Sequence, residues 1–541
     1  MFINFADLPG HQNLFLDYLY EFENAERFYK INFRDTQYYK SIFDSVASQE
    51  RFHLTEIKSI IKNQYAGKDL SKQTEKNIEL IDKDKTIAIV TGQQLGILGG
   101  PMYTFYKIIT AVKLCSNLKQ EYDDYNFIPV FWLEGDDHDF DEVRSLKVID
   151  KTNSLKNISY DDGLDDETNR GSVAKLKFNN NIYDFFNELN ESIRDTEFKK
   201  DLIDTLKVFY NPNNTFKDSF SELIFEFFDE YGLIIFDPTQ ESVKKLLKPI
   251  FKKEIEDFRE HSEDVVQTSA ELEEVYHAQI KIKPVNIFIQ EDEGRFLLEP
   301  VDDEFRLKGK HKRYTKDELL DILKKTPERF SPNVLLRPVC QDFLFPTGMY
   351  VAGPSEISYF AQVIPMYHNF NMQQPIIYPR SSATILESNL KEIAEKNKLK
   401  ITDFFSDEEV LNEKLVNILS DIEIEPAFDE SRKSMNELFD MLTKKINEID
   451  PTLTGAVDKA KDRSINNLDQ LFDKTKKARE RQHETTLRQV EKVRSIIFPN
   501  GNLQERELNF IYFAHKYGPD IIKWIYDQIA INKFEHQIIE L

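Results

Sequence analysis

Two stretches constrain this chain more than any other feature. Ile87 to Val112 reads IAIVTGQQLGILGGPMYTFYKIITAV, and Phe127 to Val143 reads FIPVFWLEGDDHDFDEV. Each opens as an apolar run short enough for a buried strand and then breaks into glycines and polar groups. Parallel α/β folds present ligand-binding groups in this way, at the carboxyl ends of their strands. The pattern predicts an enzyme built on such a sheet.

The rest of the chain fits that frame. With 541 residues it exceeds one ordinary hydrophobic core, which predicts two to four domains. Residues 1 to about 80 carry helical spacing in Leu14, Phe15, Tyr18, Leu19 and Phe22, and again from Phe43 to Ile61. Ile87–Val90 and Phe127–Leu133 are predicted strands, with a helix from Pro101 to Leu118 after the first. Leu146 with Val148, and Leu176 with Phe178, mark two further candidate strands. Helices follow at about 182–192, 199–208 and 215–229, then the strand in YGLIIFDPT and a long charged helix over 240–275. VNIFIQEDEGRFLLEPVDDEFRLKG alternates with strand period around a hairpin turn, EDEG. Val334–Leu336 and Pro375–Tyr378 are the last predicted core strands.

From about Thr384 the chain turns charged and helical. Leu438, Leu442, Ile446 and Ile449 form one stripe, and Leu468, Leu471, Thr475 and Ala478 another, on either side of Pro451. Two helices folding back there make an antiparallel coiled coil, with 383–433 as part of the same arm. The aromatic tail (Phe510, Tyr512, Phe513, Trp524) needs an apolar surface on the core or on a second subunit. The predicted organisation is a core over 1–383 with small insertions at about 150–235 and 270–325, an arm over 384–497 and a packing tail over 498–541.

Charge and cysteine content exclude several classes. A formal net charge of -24 argues against a nonspecific nucleic-acid binder, which needs a basic face. Cys115 and Cys340 supply neither a disulfide framework nor a zinc motif. No signal peptide and no apolar run near about 18 residues is evident, so a cytoplasmic protein away from membranes is expected.

Three groups of residues could carry chemistry. Gly92, Gly96, Gly99 and Gly100 precede the helix at Pro101, where backbone amides can meet a phosphate or carboxylate; equally, such glycines can be plain turns. Thr91, Gln93, Gln94 and Thr104 add hydrogen-bonding groups, and Lys107 is either a phosphate ligand or a solvated helix lysine. Neither the dinucleotide fingerprint nor the P-loop is present. Asp136, Asp137, His138 and Asp139 follow the second strand. Consecutive ligands rarely face one ion, so a base or ammonium clamp is expected rather than a resident metal, and helix capping also accounts for Asp139. The third group runs through Asn333, Arg337, Gln341, Tyr350, Gly353 and Glu356, with Arg380 after the last strand; its arginines are anion candidates. Cys340, among apolar neighbours, reads as a buried thiol.

These blocks closely resemble the bacillithiol biosynthesis cysteine-adding enzymes, the BshC cysteine ligase family. The resemblance rests on TGQQLGILGGPMYTFYK, PVFWLEGDDHDFDEV, SPNVLLRPVCQDFLFPTGMYVAGPSEISYFAQ, IIYPRSSAT and FPNGNLQER, spread over nearly the whole chain. Asp136 stands where glutamate is expected in relatives. The resemblance implies a Rossmann-like parallel-sheet core similar to class I nucleotidyltransferases, small connecting domains, a C-terminal antiparallel coiled-coil arm and a homodimer. The implied reaction joins L-cysteine to the glucosamine amine of glucosaminyl-malate, with ATP and Mg2+ as the expected source of activation. On that reading the Gly92–Pro101 turn and Lys107 hold phosphates, and Asp137 and Asp139 hold an ammonium group. His138 assists proton transfer, and Arg337 or Arg380 neutralises malate or phosphate charge. The HIGH and KMSKS signatures of class I synthetases have no recognisable counterpart. Nucleotidyl transfer to another small acidic substrate and a nucleotide-binding assembly module are the alternatives. Pyrophosphate release without cysteine would mark the first, and tight binding without amide product the second.

Overall fold

The computed structural model describes residues 1–420 and 424–541. Residues 1–384 with 502–539 form one compact unit, and 385–501 with 540–541 form a second.

The first unit is organised by five parallel strands: β1 (Thr86–Gln94), β2 (Asn126–Glu134), β3 (Ile234–Phe236), β4 (Thr347–Ala352) and β5 (Ile376–Pro379). Their order across the sheet is β5-β4-β1-β2-β3. The chain therefore winds outward from β1 in one direction, then restarts at β4 on the other side. That is the Rossmann arrangement, and its topological switch point lies between β1 and β4. Ile87, Ala88, Ile89 and Val90 are fully buried, as strands covered on both faces require. Helix α1 (Tyr103–Glu121) follows β1, α2 (Arg337–Leu344) precedes β4, and α3 (Pro354–Asn369) follows it.

Beside this core, Ile287–Glu291, Gly294–Val301, Glu304–Leu307 and Arg313–Thr315 form an antiparallel meander, with Phe330–Pro332 paired to its first strand. The turn at Asp292–Glu293 is the predicted EDEG hairpin.

Several local expectations change. β1 runs to Gln94, so Thr91, Gly92, Gln93 and Gln94 lie in the strand and not in the loop after it. The ladder to β2 continues through Gln94 opposite Glu134 and keeps them extended. Leu146 and Val148 do form a strand, Ser145–Ile149, but it pairs antiparallel with Leu155–Ser159 outside the main sheet. Leu176 and Phe178 form no regular strand; a short 3-10 turn at Val173–Lys175 and an isolated bridge from Lys177 to Thr215 take its place. Val334–Leu336 is a turn rather than a strand. Asn333 Oδ1 accepts from the Leu335 and Leu336 amides, at 2.9 and 3.1 Å, and starts α2 instead. The 43–61 run divides into helices Tyr39–Ser48 and Leu54–Gln64.

The tail residues of the first unit close over its glycine turn. Asn509 Nδ2 donates to the carbonyls of Leu98 (2.8 Å) and Gly100 (2.6 Å), the Met102 amide donates to Leu508 O, and Phe510 packs 4.9 Å from Phe105.

In the second unit, α4 (Glu425–Ile449) and α5 (Thr454–Gln482) reverse around Pro451–Leu453. Phe428 meets Phe472, Arg432 Nε pairs with Asp469 at 2.8 Å and Lys461 pairs with Asp440 at 3.0 Å. These partners rise in number on one helix as they fall on the other, which is the antiparallel register of a coiled coil. Shorter helices, Ser388–Lys396 and Glu408–Leu419, precede it; 421–423 of the predicted arm lie outside the described residues.

Candidate active site

At the switch point the strand ends gather a buried ionic network. Gly92 lies within β1, and its carbonyl accepts from Lys107 Nζ of α1 at 2.8 Å. Lys107 also donates to Gln93 Oε1 (3.0 Å) and pairs with Glu356 Oε2 of α3 at 2.5 Å. Burial lowers the Lys107 pKa, and Glu356 opposes that by favouring its charge. Glu356 in turn accepts from Tyr350 OH at 2.9 Å and from the Gly353 amide at 2.8 Å, so it caps α3 while it holds the lysine. Lys107 is thus a tethered cation rather than a solvated helix lysine.

The network continues to β2. Arg337, the first residue of α2, donates to Tyr359 OH at 2.9 Å and brings Nε to 2.9 Å from Glu134 Oε1. The Glu134 contact is electrostatic, since neither of these two atoms makes an aligned hydrogen bond. Glu134 is raised to about 7, chiefly by burial; Arg337 opposes the rise, and the charges of Asp137 and Asp136 add to it.

Glu134 and Arg337 also line a cavity of about 560 Å³ between the carboxyl end of β2 and the antiparallel meander. Asp136, Asp137, His138 and Asn333 share its wall. Asp136 is neutralised by the buried Lys244. Asp137 is opposed by burial, yet hydrogen bonds from the His138 amide (2.7 Å) and Gln94 Nε2 (2.9 Å) and the nearby Arg295 charge hold it well below the usual carboxylate range. Arg295 comes from the meander. It is 7% exposed, lies 3.7 Å over the Phe288 ring, and donates to Ser331 Oγ, Pro332 O and His138 Nδ1 at 2.9, 3.1 and 3.1 Å. A guanidinium can only donate, so in this contact Nδ1 accepts and Nε2 is left to donate.

The other sequence-predicted residues lie apart from this cavity wall. Asp139 caps the Phe140–Val143 turn through the Glu142 amide at 3.1 Å. Thr91 Oγ1 donates across to Val351 O at 3.0 Å, and Gln94 Nε2 holds Asp137 and Glu142. Gly99, Gly100 and Thr104 are buried beneath the tail. The amides of Gly96, Gly99, Gly100 and Met102 are all engaged within the fold, so as it stands this turn is not a phosphate cradle. Gln341 is buried within α2. Arg380 forms a buried pair with Glu505 at 2.7 Å. Among the described residues, no group of three or more His, Cys, Asp or Glu side chains gathers to hold a metal, and no helix is long and apolar enough to cross a membrane. Cys115 and Cys340 are free, buried thiols with raised pKa values caused by burial.

Gly92 has a geometric reason. A Cβ there would lie 2.9 Å from the Trp132 carbonyl and 3.3 Å from Glu134 Oε1. Gly92→Ala should therefore displace Glu134 and cost about 1–3 kcal/mol of stability, read as a lowered denaturation midpoint.

This arrangement matches a known lineage over its whole length. Residues 1–381 match the family described as bacillithiol biosynthesis BshC, N-terminal Rossmann-like domain, and residues 383–541 match its C-terminal coiled-coil domain. The chain belongs to the BshC family. A Salinibacter ruber protein, provisionally named as the cysteine ligase BshC, is 31% identical over 540 residues, spanning 99% of this chain and 97% of the relative. A Chloroherpeton thalassium protein of the same name is 32% identical over 544 residues, spanning 97% and 96%. A Bacillus cytotoxicus one is 29% identical over 474 residues, 87% of each chain. Within this BshC chain, sequence reasoning passed over Glu134, Arg295 and Lys244. Glu134 carried a usable signal, as the first charged residue after an apolar strand. Arg295 and Lys244 carried none, because only the tertiary fold brings them to Asp137 and Asp136.

Proposed function

We propose that this chain is a carbon–nitrogen ligase that adds L-cysteine to the glucosamine amine of glucosaminyl-malate. Membership of a family whose relatives carry a cysteine-ligase name supports the ligase part of this reading. The observation that carries it to this site is the Glu134–Arg337 pair on the wall of a charged cavity, where the Glu134 carboxyl is raised to about 7.

Amide formation needs an amine stripped of its proton and an acyl carbon bearing a leaving group. The acceptor amine binds against Asp137 and gives its proton to the Glu134 carboxylate as the new C–N bond forms. The leaving group then departs from the cysteine acyl carbon. His138, with Nε2 as a donor, suits the developing negative charge on the acyl oxygen better than it suits the base. Arg337 keeps Glu134 oriented. ATP with Mg2+ is the proposed activator of the cysteine carboxylate.

Mass spectrometry of purified protein with L-cysteine and glucosaminyl-malate, with and without ATP and magnesium, tests the reading. A cysteine adduct of the acceptor is the expected product, and its appearance only with ATP identifies the activator. Absence of the adduct in both arms, and also with a chemically preactivated cysteine ester, would sink the ligase reading.

A further inference from the structure

The cavity is electrically lopsided. Its three carboxylates are each answered by a buried or half-buried cation: Glu134 by Arg337, Asp136 by Lys244, and Asp137 by Arg295. Lys281, Lys283 and Lys308 line the same space, and none of them forms an ion pair among the described residues. All three come from the meander and the segment that leads into it. Glu299 faces Lys283 at longer range, but it is paired with Arg306 at 3.0 Å.

Lys281 and Lys308 are exposed and Lys283 is half-buried, and the three line one cavity in a chain with 95 acidic and 71 basic residues. Like charges held together repel, and a fold that can place acids almost anywhere has left this group without one. Burial lowers the Lys283 pKa, and the neighbouring Lys308 and Lys281 charges lower it further, so both lie close enough to be felt at Lys283. Apolar groups of Ile280, Phe296 and Leu297 floor the space between them. An anion placed here gains three cations and relieves their repulsion.

We propose that the Lys281, Lys283 and Lys308 wall binds the two carboxylates of a dicarboxylate group on the acceptor substrate. The proposal rests on the ligase reading above. An acceptor with an amine at one end and a dicarboxylate at the other then spans the cavity, its amine at Asp137 and Glu134 and its carboxylates at the lysines. The lysines so placed determine which acceptor is taken, because an amino sugar without the acidic group would leave them unanswered.

Titration calorimetry of the full-length protein with L-malate, and separately with inorganic phosphate, tests this directly and requires no turnover. L-malate should bind the wild type, weaken as ionic strength rises, and lose at least about tenfold in affinity in Lys283→Gln/Lys308→Gln, about 1.4 kcal/mol. Lys200→Gln, on a remote helix, should bind as the wild type does. An unchanged thermal midpoint in the double variant shows that folding is intact. Should it fall, Lys308→Glu alone, at an exposed position, must still weaken malate. The proposal is overturned if L-malate fails to bind, if the double variant and Lys308→Glu both bind it like wild type, or if phosphate binds more tightly and malate cannot displace it. Failure of the ligase reading shows as no amide product in the mass-spectrometric assay while malate still binds the lysines. Failure of this proposal alone shows as amide product with malate indifferent to them.

Discussion

Replacing Glu134 by glutamine should lower the rate of amide formation by about a hundred- to ten-thousandfold, the span that one positioned base contributes. Glutamine keeps the shape and loses the proton acceptor. The pH profile makes the test specific. Burial sets Glu134 near 7, with Asp137 and Asp136 adding to the rise and Arg337 opposing it. The basic form is the carboxylate, so wild-type activity should climb as pH rises through about 7, and E134Q should lose that limb. E134D, with a shorter reach, should recover part of the rate and keep the limb. The drop should fall on kcat, because the base acts in the transition state and not in holding the substrate. His138→Ala provides the contrast. With Nδ1 accepting from Arg295, it should reduce the rate and leave the acidic limb in place. If H138A abolishes the limb while E134Q keeps it, the base is His138.

What could be read from the chain beforehand follows from how local each feature is. The parallel core was legible because β1 and β2 announce themselves as continuous apolar runs, and the coiled coil because its stripes repeat at fixed spacing around Pro451. Half of the cavity was legible for the same reason: Asp137 and His138 follow a strand, and strand ends in such sheets face ligand. The sequence leaves the glycine turn undecided between a ligand loop and a plain turn, because it cannot show that Asn509, more than four hundred residues away, donates to Leu98 and Gly100. Arg337 was placed after a strand because Val334, Leu335 and Leu336 are apolar, whereas the Asn333 side chain captures two amides and begins a helix. Arg295 and the lysine wall were invisible because their significance is entirely tertiary. A meander about 160 residues beyond His138 supplies the opposite side of the cavity.

The buried pair that fastens the tail gives the second large effect. Arg380 follows β5, its side chain is 3% exposed and that of Glu505 is 1% exposed, and they meet at 2.7 Å. Glu505 also accepts from Ser382 Oγ and the Ala383 amide, both at 2.9 Å. Arg380→Met should cost about 3–5 kcal/mol, because it leaves a buried carboxylate without its cation. Arg380→Met/Glu505→Gln should cost less than the single change, since no charge is then stranded; a double variant as unstable as the single one would mean that lost packing, not the stranded charge, dominates. The pH dependence separates these causes further. Although burial pushes Glu505 up, Arg380 outweighs it and holds the carboxyl below its usual range. A lowered carboxyl contributes stability that is present above its unfolded pKa and is lost as pH falls through the folded one. In R380M that contribution is gone, leaving the Ser382 and Ala383 hydrogen bonds against burial, so Glu505 takes up a proton more readily. Chemical denaturation of the two proteins should therefore differ most near neutrality and converge as the pH falls below the ordinary carboxylate range. Because Asn509 closes the glycine turn from the same tail, loosening the Arg380 anchor should also raise hydrogen exchange at Gly99 and Gly100 before the sheet itself opens. Unchanged exchange there in R380M would show that Asn509 holds the turn independently of the anchor.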